Sequence, residues 1–379
     1  MKSKNIQKYI AYMFTAMLLL SITSCEKDDD VPGLPVFSKI TPIKELNKAI
    51  TTGSMGDWVA IQGTNLESTS SIRFNDVEVD MEEVYYENET LYLQVPVKLP
   101  GDITNKVTVT TEAGNIDFNF TVDVPDLKLT SMFNEYTLPG DTIKIYGNFF
   151  NLYEVDSSTT VVSFGGIEKP VIKASDTYLT AQVPQNVQSD VKVEVINKKH
   201  NVTAVCPGYY QDKHNVITTF DSDFPYTSGT GQQWVGEWTN PKPTSGKYIR
   251  FEVDQATYPY GLGWFYLCEN SVNYTMDMMT NPDKYVLKFE LNMLKPIKAT
   301  SFFIYYYWAV APTPMSGETF TVTTLGLWQT VTIPLEKIIP MGYTGTSTNY
   351  SLNMRIENYA PVEEVAMYFD NLRIYKEGE

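Results

Sequence analysis

Histidine, cysteine and positive charge are all scarce in this sequence. It has 379 residues but only two histidines, His200 and His214. That leaves too few imidazoles for a His-rich metal centre or a His-based catalytic triad. Its three cysteines, Cys25, Cys206 and Cys268, form no CxxC pair and no zinc-ligand spacing. Buried thiols are the simpler reading of Cys206 and Cys268, with a disulfide between them as the alternative. Lysine and arginine number 29 against 45 acids, giving a formal charge of −16. Removing residues 1–24, which carry Lys2, Lys4, Lys8 and no acid, makes it −19. Such a chain repels nucleic acids and anionic membrane surfaces and suits neutral or cationic ligands. The longest apolar run, YIAYMFTAMLLLSI at 9–22, is shorter than the roughly 20 residues a membrane span needs.

Aromatics are abundant at 13%, with 26 tyrosines, and they are uneven. Trp58 lies early, whereas Trp234, Trp238, Trp264, Trp308 and Trp328 all lie beyond residue 230. Short alternating runs such as DWVAIQG, TLYLQVP and KVTVTT sit between Gly, Pro, Asn and Asp turns. This pattern predicts an all-β chain without a helix of three turns. At this length two or three domains are expected.

The N-terminus has a targeting layout. Three lysines precede the apolar run, and small residues precede Cys25. ITSC (22–25) resembles the lipobox of bacterial lipoproteins. The acidic EKDDD (26–30) resembles the export signal of surface lipoproteins in Bacteroidota. The resemblance implies a signal peptide at 1–24, lipidation of Cys25 and a linker at 25–33. It further implies anchorage in outer-membrane lipid and display at the cell surface.

An internal repeat follows. GDWVAIQGTNL (56–66), SIRFNDVEV (71–79) and TLYLQVP (90–96) recur as GDTIKIYGNFF (140–150), VVSFGGIEKPVI (161–172) and YLTAQVP (178–184). Glycine at 63 and 147 suits turns that need a positive φ. Proline at 96 and 184 ends strand pairing. Trp58 reads as a packing residue. The G-D-x-[VI]-x-I-x-G core, with ITP at 40–42, resembles the IPT/TIG family of Ig-like sandwiches. It implies two such domains, 34–124 and 125–212, serving as spacers or docking modules.

Residues 213–379 differ. They open with VITTFDSDF and close with AMYFDNLRIY. Between lie the predicted strands GKYIRFEV, KYVLKFELNML, SFFIYYYW, WQTVTIPL and YSLNMRIEN. These features resemble jelly-roll carbohydrate-binding modules. The order of parts resembles the surface glycan-binding protein B family of Bacteroidota polysaccharide-utilisation systems. That resemblance implies a non-catalytic protein that holds a polysaccharide beside a surface transporter complex and glycoside hydrolases.

The residues themselves point the same way. SFFIYYYWAV (301–310) carries aromatics on both faces of one strand, where a half-covered strand should alternate with polar residues. One face can pack while the other meets flat sugar faces. Tyr305 and Tyr307 are chosen for the binding face, with Trp308 at the rim. GLGWFYLCEN adds Trp264 and Tyr266, and the loop SGTGQQWVGEW adds Trp234 and Trp238. In SLNMRIEN, Leu352, Met354 and Ile356 read as core. Asn353, Arg355 and Glu357 are then hydroxyl partners on the other face. The expected ligand is a neutral β-glucan or hemicellulose such as xyloglucan, with no nucleic acid. Asp221, Asp223 and Asp370 read as turn-forming carboxylates, with structural Ca²⁺ as the alternative; no other cofactor is implied. A glycoside hydrolase would draw its two carboxylates from Glu237, Glu269 and Glu357. A protein-binding adhesin or assembly component would use the same aromatic patch differently.

Overall fold

The computed structural model describes residues 33–223, 234–254, 256, 263–295, 301–306, 313–315, 324–339, 342, 344–346, 348–358 and 364–378. For the strands at 263–273, 301–306, 313–315 and 349–358 it describes the backbone. The signal peptide, Cys25, Tyr307 and Trp308 lie outside the described residues. Among the described residues no helix is long and apolar enough to cross a membrane.

The chain divides into two compact units, Met1–Pro125 and Asp126–Glu379. The first is an Ig-like sandwich. One sheet orders Val36–Pro42, Trp58–Thr64, Thr90–Gln94 and Tyr85–Glu87. The other orders Val77–Glu78, Thr69–Phe74, Lys106–Thr111 and Gly114–Asn119. Alternate residues of both sheets, among them Ile61, Ile72, Leu93 and Val109, are buried between them. Trp58 corrects the packing expectation. It occupies an outward position of its strand and is 42% exposed.

The repeat is real in three dimensions. In the second unit Lys128–Met132 pairs with Thr142–Asn148, which pairs with Tyr178–Gln182. Val36–Pro42, Trp58–Thr64 and Thr90–Gln94 pair in the same way. Both first strands bulge, after Phe37 and after Leu129, and those residues face Gly63 and Gly147. A Cβ at Gly63 would stand 2.0 Å from the Val36 carbonyl oxygen; at Gly147, 2.5 Å from that of Lys128. Neither glycine has a positive φ. The glycines are therefore required for close backbone approach at a bulge, not for the turn conformation expected from the sequence. The positive φ falls two residues later, at Asn65 and Phe149.

The last domain is built on two sheets. The larger orders Val235–Gly236, Tyr248–Val253, Val365–Lys376, Tyr285–Met293 and Gln329–Pro334. Val216–Thr218 also pairs with Val365–Lys376, so the opening and closing motifs meet: Val216 faces Arg373. One face of this sheet is the core, including Phe251, Leu287, Phe289, Ile333 and Phe369. The second sheet orders Gly263–Asn273, Asn349–Asn358, Ser301–Tyr306 and Thr313–Met315.

The other face of the larger sheet meets the second Ig-like domain through buried charge. Arg373 Nη2 lies 2.6 Å from Glu135 Oε2, and its Nη1 lies 2.9 Å from Glu290 Oε2. Lys288 Nζ takes the other Glu135 oxygen at 2.6 Å. Thr330 Oγ1 donates to Glu290 and accepts the Glu135 backbone N–H. Tyr136 lies under the guanidinium, 4.9 Å from ring centroid to Cζ, and donates its hydroxyl to the Asp212 carbonyl. Burial pushes the Glu290 carboxyl up to about 7, against the opposing pull of Arg373. Burial alone would lower the Arg373 pKa; Glu290 and Glu135 outweigh it and hold the guanidinium charged. Cys206 is a buried free thiol, and burial raises its pKa.

Candidate functional site

The second sheet of the last domain brings six predicted binding residues together. Its strands are antiparallel, so residues directly opposite share a face. Trp264 faces Glu357, which faces Ser301. Tyr266 faces Arg355, which faces Phe303. Glu269 faces Asn353, which faces Tyr305. These three cross-strand rows belong to one face, because 353, 355 and 357 alternate along one strand. A bulge between Tyr266 and Cys268 shifts the phase, placing Glu269 rather than Cys268 in the third row. Rows spaced two residues apart lie roughly 6.8 Å from one another, so the three span about 13 Å along the strands.

The opposite face has a different composition. There Phe265, Ile356 and Phe302 form one row, and Cys268, Met354 and Ile304 the next. The division expected for SLNMRIEN therefore extends across all three strands: apolar residues on one face, aromatic and hydrogen-bonding residues on the other. Alternation along SFFIYYYW already puts Phe303 on the face of Tyr305, but Phe303 is not among the residues expected to bind; the register adds it to the middle row.

The two loop tryptophans do not join this face. Trp234 is half-buried and packs against the core, its ring 5.3 Å from that of Phe251 at 75°. That departs from the expectation of a loop-displayed binder: the chain enters an edge strand at Val235, which carries the indole onto the core face. Trp238 is 37% exposed and lies on the larger sheet. Arg250 Cζ stands 5.4 Å from its ring, on the face opposite Phe251. Gly236 makes room beneath the indole, where a Cβ would come within 2.9 Å. Arg250 also bonds Glu252 at 3.0 Å, and Glu252 accepts the Tyr368 hydroxyl at 2.6 Å. Burial acts to raise the Glu252 pKa, but these two bonds outweigh it and hold it low. Trp328 packs against Tyr248 at 5.3 Å and donates its indole N–H to the Lys242 carbonyl.

The three aspartates are engaged separately. Asp370 is buried; its Oδ2 accepts from Thr244 and Ser245, and its Oδ1 from the Asn371 N–H. Asp221 accepts the Lys247 N–H at 2.6 Å, and Asp223 the Thr219 hydroxyl at 3.1 Å. Among the described residues they do not gather into a cation-sized cluster. The one such group among the described residues, Asp190, Asp212 and His214, holds His214 Nδ1 3.1 Å from Asp190 Oδ1 and 2.8 Å from Asp212 Oδ1.

Residues 210–376 match the family model described as the surface glycan-binding protein B xyloglucan-binding domain. That match spans almost all of the last domain. Residues 127–219 match the IPT/TIG domain. A solved surface glycan-binding protein B from Prevotella bryantii superposes with a TM-score of 0.60 at 18% identity, covering 91% of this chain and 99% of its own. Another, from a complex xyloglucan utilisation locus in Bacteroides uniformis, gives 0.47 at 18%, covering 91% and 100%. The fold is thus that of tandem Ig-like sandwiches with a C-terminal β domain. No curated protein matches the sequence.

Proposed function

We propose that the chain is a non-catalytic surface glycan-binding protein whose platform is the face bearing Trp264, Tyr266, Phe303, Tyr305, Asn353, Arg355 and Glu357. The cross-strand register carries this reading: it aligns aromatic and hydrogen-bonding residues on one face of one sheet. Aromatic rings cover the apolar faces of pyranose rings, and Asn, Arg and Glu take the hydroxyl edges. Tyr307 and Trp308, which the sequence offers as further sugar contacts, lie outside the described residues and are kept as part of the proposal. Trp238, beside Arg250, is an accessory contact on the other sheet.

The ligand is a neutral β-glucan or hemicellulose such as xyloglucan, in keeping with the net negative charge and the domain family. Cys25 anchors the chain in outer-membrane lipid at the cell surface, where transporter and hydrolase partners receive the bound polysaccharide. The register does not pair the candidate hydrolase carboxylates Glu269 and Glu357: they stand two rows apart, about 13 Å along the backbone.

Affinity electrophoresis of the chain from residue 25 onward tests this reading. Retardation by xyloglucan or another β-glucan, lost in Tyr266→Ala, is the expected result. Equal mobility with and without every neutral polysaccharide tried would overturn it, and retention by a protein partner instead would favour the adhesin.

A further inference from the structure

A second site lies where the Ig-like domain and the last domain of the second unit meet. A cleft of about 440 Å³ opens between them, lined from one side by Phe133, Tyr136 and Lys144 and from the other by Asn292, Leu327 and Trp328. That volume lies within the usual range for small-ligand sites, about 300–1,000 Å³. Asn292 is the telling residue. It is 1% exposed, yet among the described residues neither its Nδ2 nor its Oδ1 has a hydrogen-bond partner. A buried amide left in that state is costly, and it offers two donors and an acceptor.

The charged groups at the cleft are already engaged. Asp141 pairs with Lys242 at 3.7 Å, and Lys144 Nζ sits 5.1–5.9 Å from the rings of Phe133, Tyr146 and Tyr178. Asp141 and Lys242 offset each other, and Lys144 is held over aromatic rings, so the cleft presents one cation and no unpaired carboxylate among these three. A vicinal diol both donates and accepts, so it matches the Asn292 amide, while Trp328, Leu327 and Phe133 supply apolar wall. We propose that this cleft binds a short neutral saccharide, a mono- or disaccharide unit or a chain end, at a site separate from the platform. The enclosure by two domains suits an end or a branch rather than the flank of a polymer.

Hydrogen exchange read by mass spectrometry, with cellobiose and glucose as probes, tests this on the chain from residue 25 onward. The expected result is slowed exchange at 133–142 and 324–330 in the wild type and equally in the platform variant Tyr266→Ala. Leu327 is 53% exposed, so Leu327→Arg blocks the cleft without disturbing the core, and it should abolish the slowing. Asn292→Leu should weaken cellobiose at least tenfold. No slowing in the wild type at saturating sugar, or slowing that survives Leu327→Arg, would overturn the proposal. Loss of polysaccharide retardation with the cleft signal intact would overturn the platform and leave the cleft standing.

Discussion

Glu135 and Arg373, 238 residues apart in sequence, meet at 2.6 Å with both side chains buried. One belongs to the second Ig-like domain and the other to the last strand of the glycan-binding-type domain. Glu290 takes Nη1, Asp212 lies 3.8 Å from Nε and Lys288 takes the other Glu135 oxygen, so five charged groups close on one another. Breaking such a buried group by removing one member leaves a charge uncompensated, at about 3–5 kcal/mol. Arg373→Ala is therefore expected to lower the urea-unfolding free energy of the second unit by that amount. A change under about 1 kcal/mol would show the network to be dispensable.

The same network predicts how the last domain behaves alone. Residues 213–379 without Glu135 expose Arg373 and Lys288 and leave Glu290 as the one carboxylate bound to that guanidinium. The fragment 213–379 is expected to melt below the fragment 126–379, by several degrees in a calorimeter. Identical melting temperatures would contradict it.

Stability also depends on pH in a set direction. Burial raises the Glu290 carboxyl from an ordinary 4.5 to about 7. The folded chain then holds this proton more tightly than the unfolded chain does. The contribution is complete below about 4.5 and is lost as pH rises through 7, on the order of 3 kcal/mol in all. Asp370, raised by burial, acts in the same sense. Denaturation curves between pH 5 and 8 should show declining stability, and Glu290→Gln should flatten the decline. A slope of opposite sign would refute the assignment.

Gly63 and Gly147 test the repeat. Each admits a neighbouring backbone carbonyl closer than any Cβ allows. Alanine at either position should destabilise its own unit by more than about 2 kcal/mol, because a backbone, not a flexible side chain, must move. Thermal unfolding of the two variants measures this; an unchanged melting temperature would mean the bulge can relax.

Much of this architecture was legible in the sequence. The strand–glycine–strand–proline repeat announced both sandwiches, since period-two alternation survives on each half-buried sheet. The faces of 351–358 were legible for the same reason. What escaped was set by partners distant in the chain. The bulge at Tyr266, which puts Glu269 in a row with Asn353, depends on register with another strand. Trp234 and Trp238 share a polar loop in sequence but go to opposite faces of one sheet. Arg373 looks like an ordinary alternating position, and nothing local to it reveals Glu135. Trp58, inside the first strand motif, reads as a packing residue, yet its place in the alternation makes it outward.

The platform itself is tested most directly by titrating a soluble xyloglucan oligosaccharide into the wild type and Arg355→Ala by calorimetry. Arg355 sits in the middle row between Tyr266 and Phe303, with Glu357 and Asn353 on either side. Its loss should weaken binding at least tenfold while leaving the melting temperature near that of the wild type. Undiminished affinity in Arg355→Ala, and again in Tyr266→Ala, would contradict the assignment of this face as the glycan-binding surface.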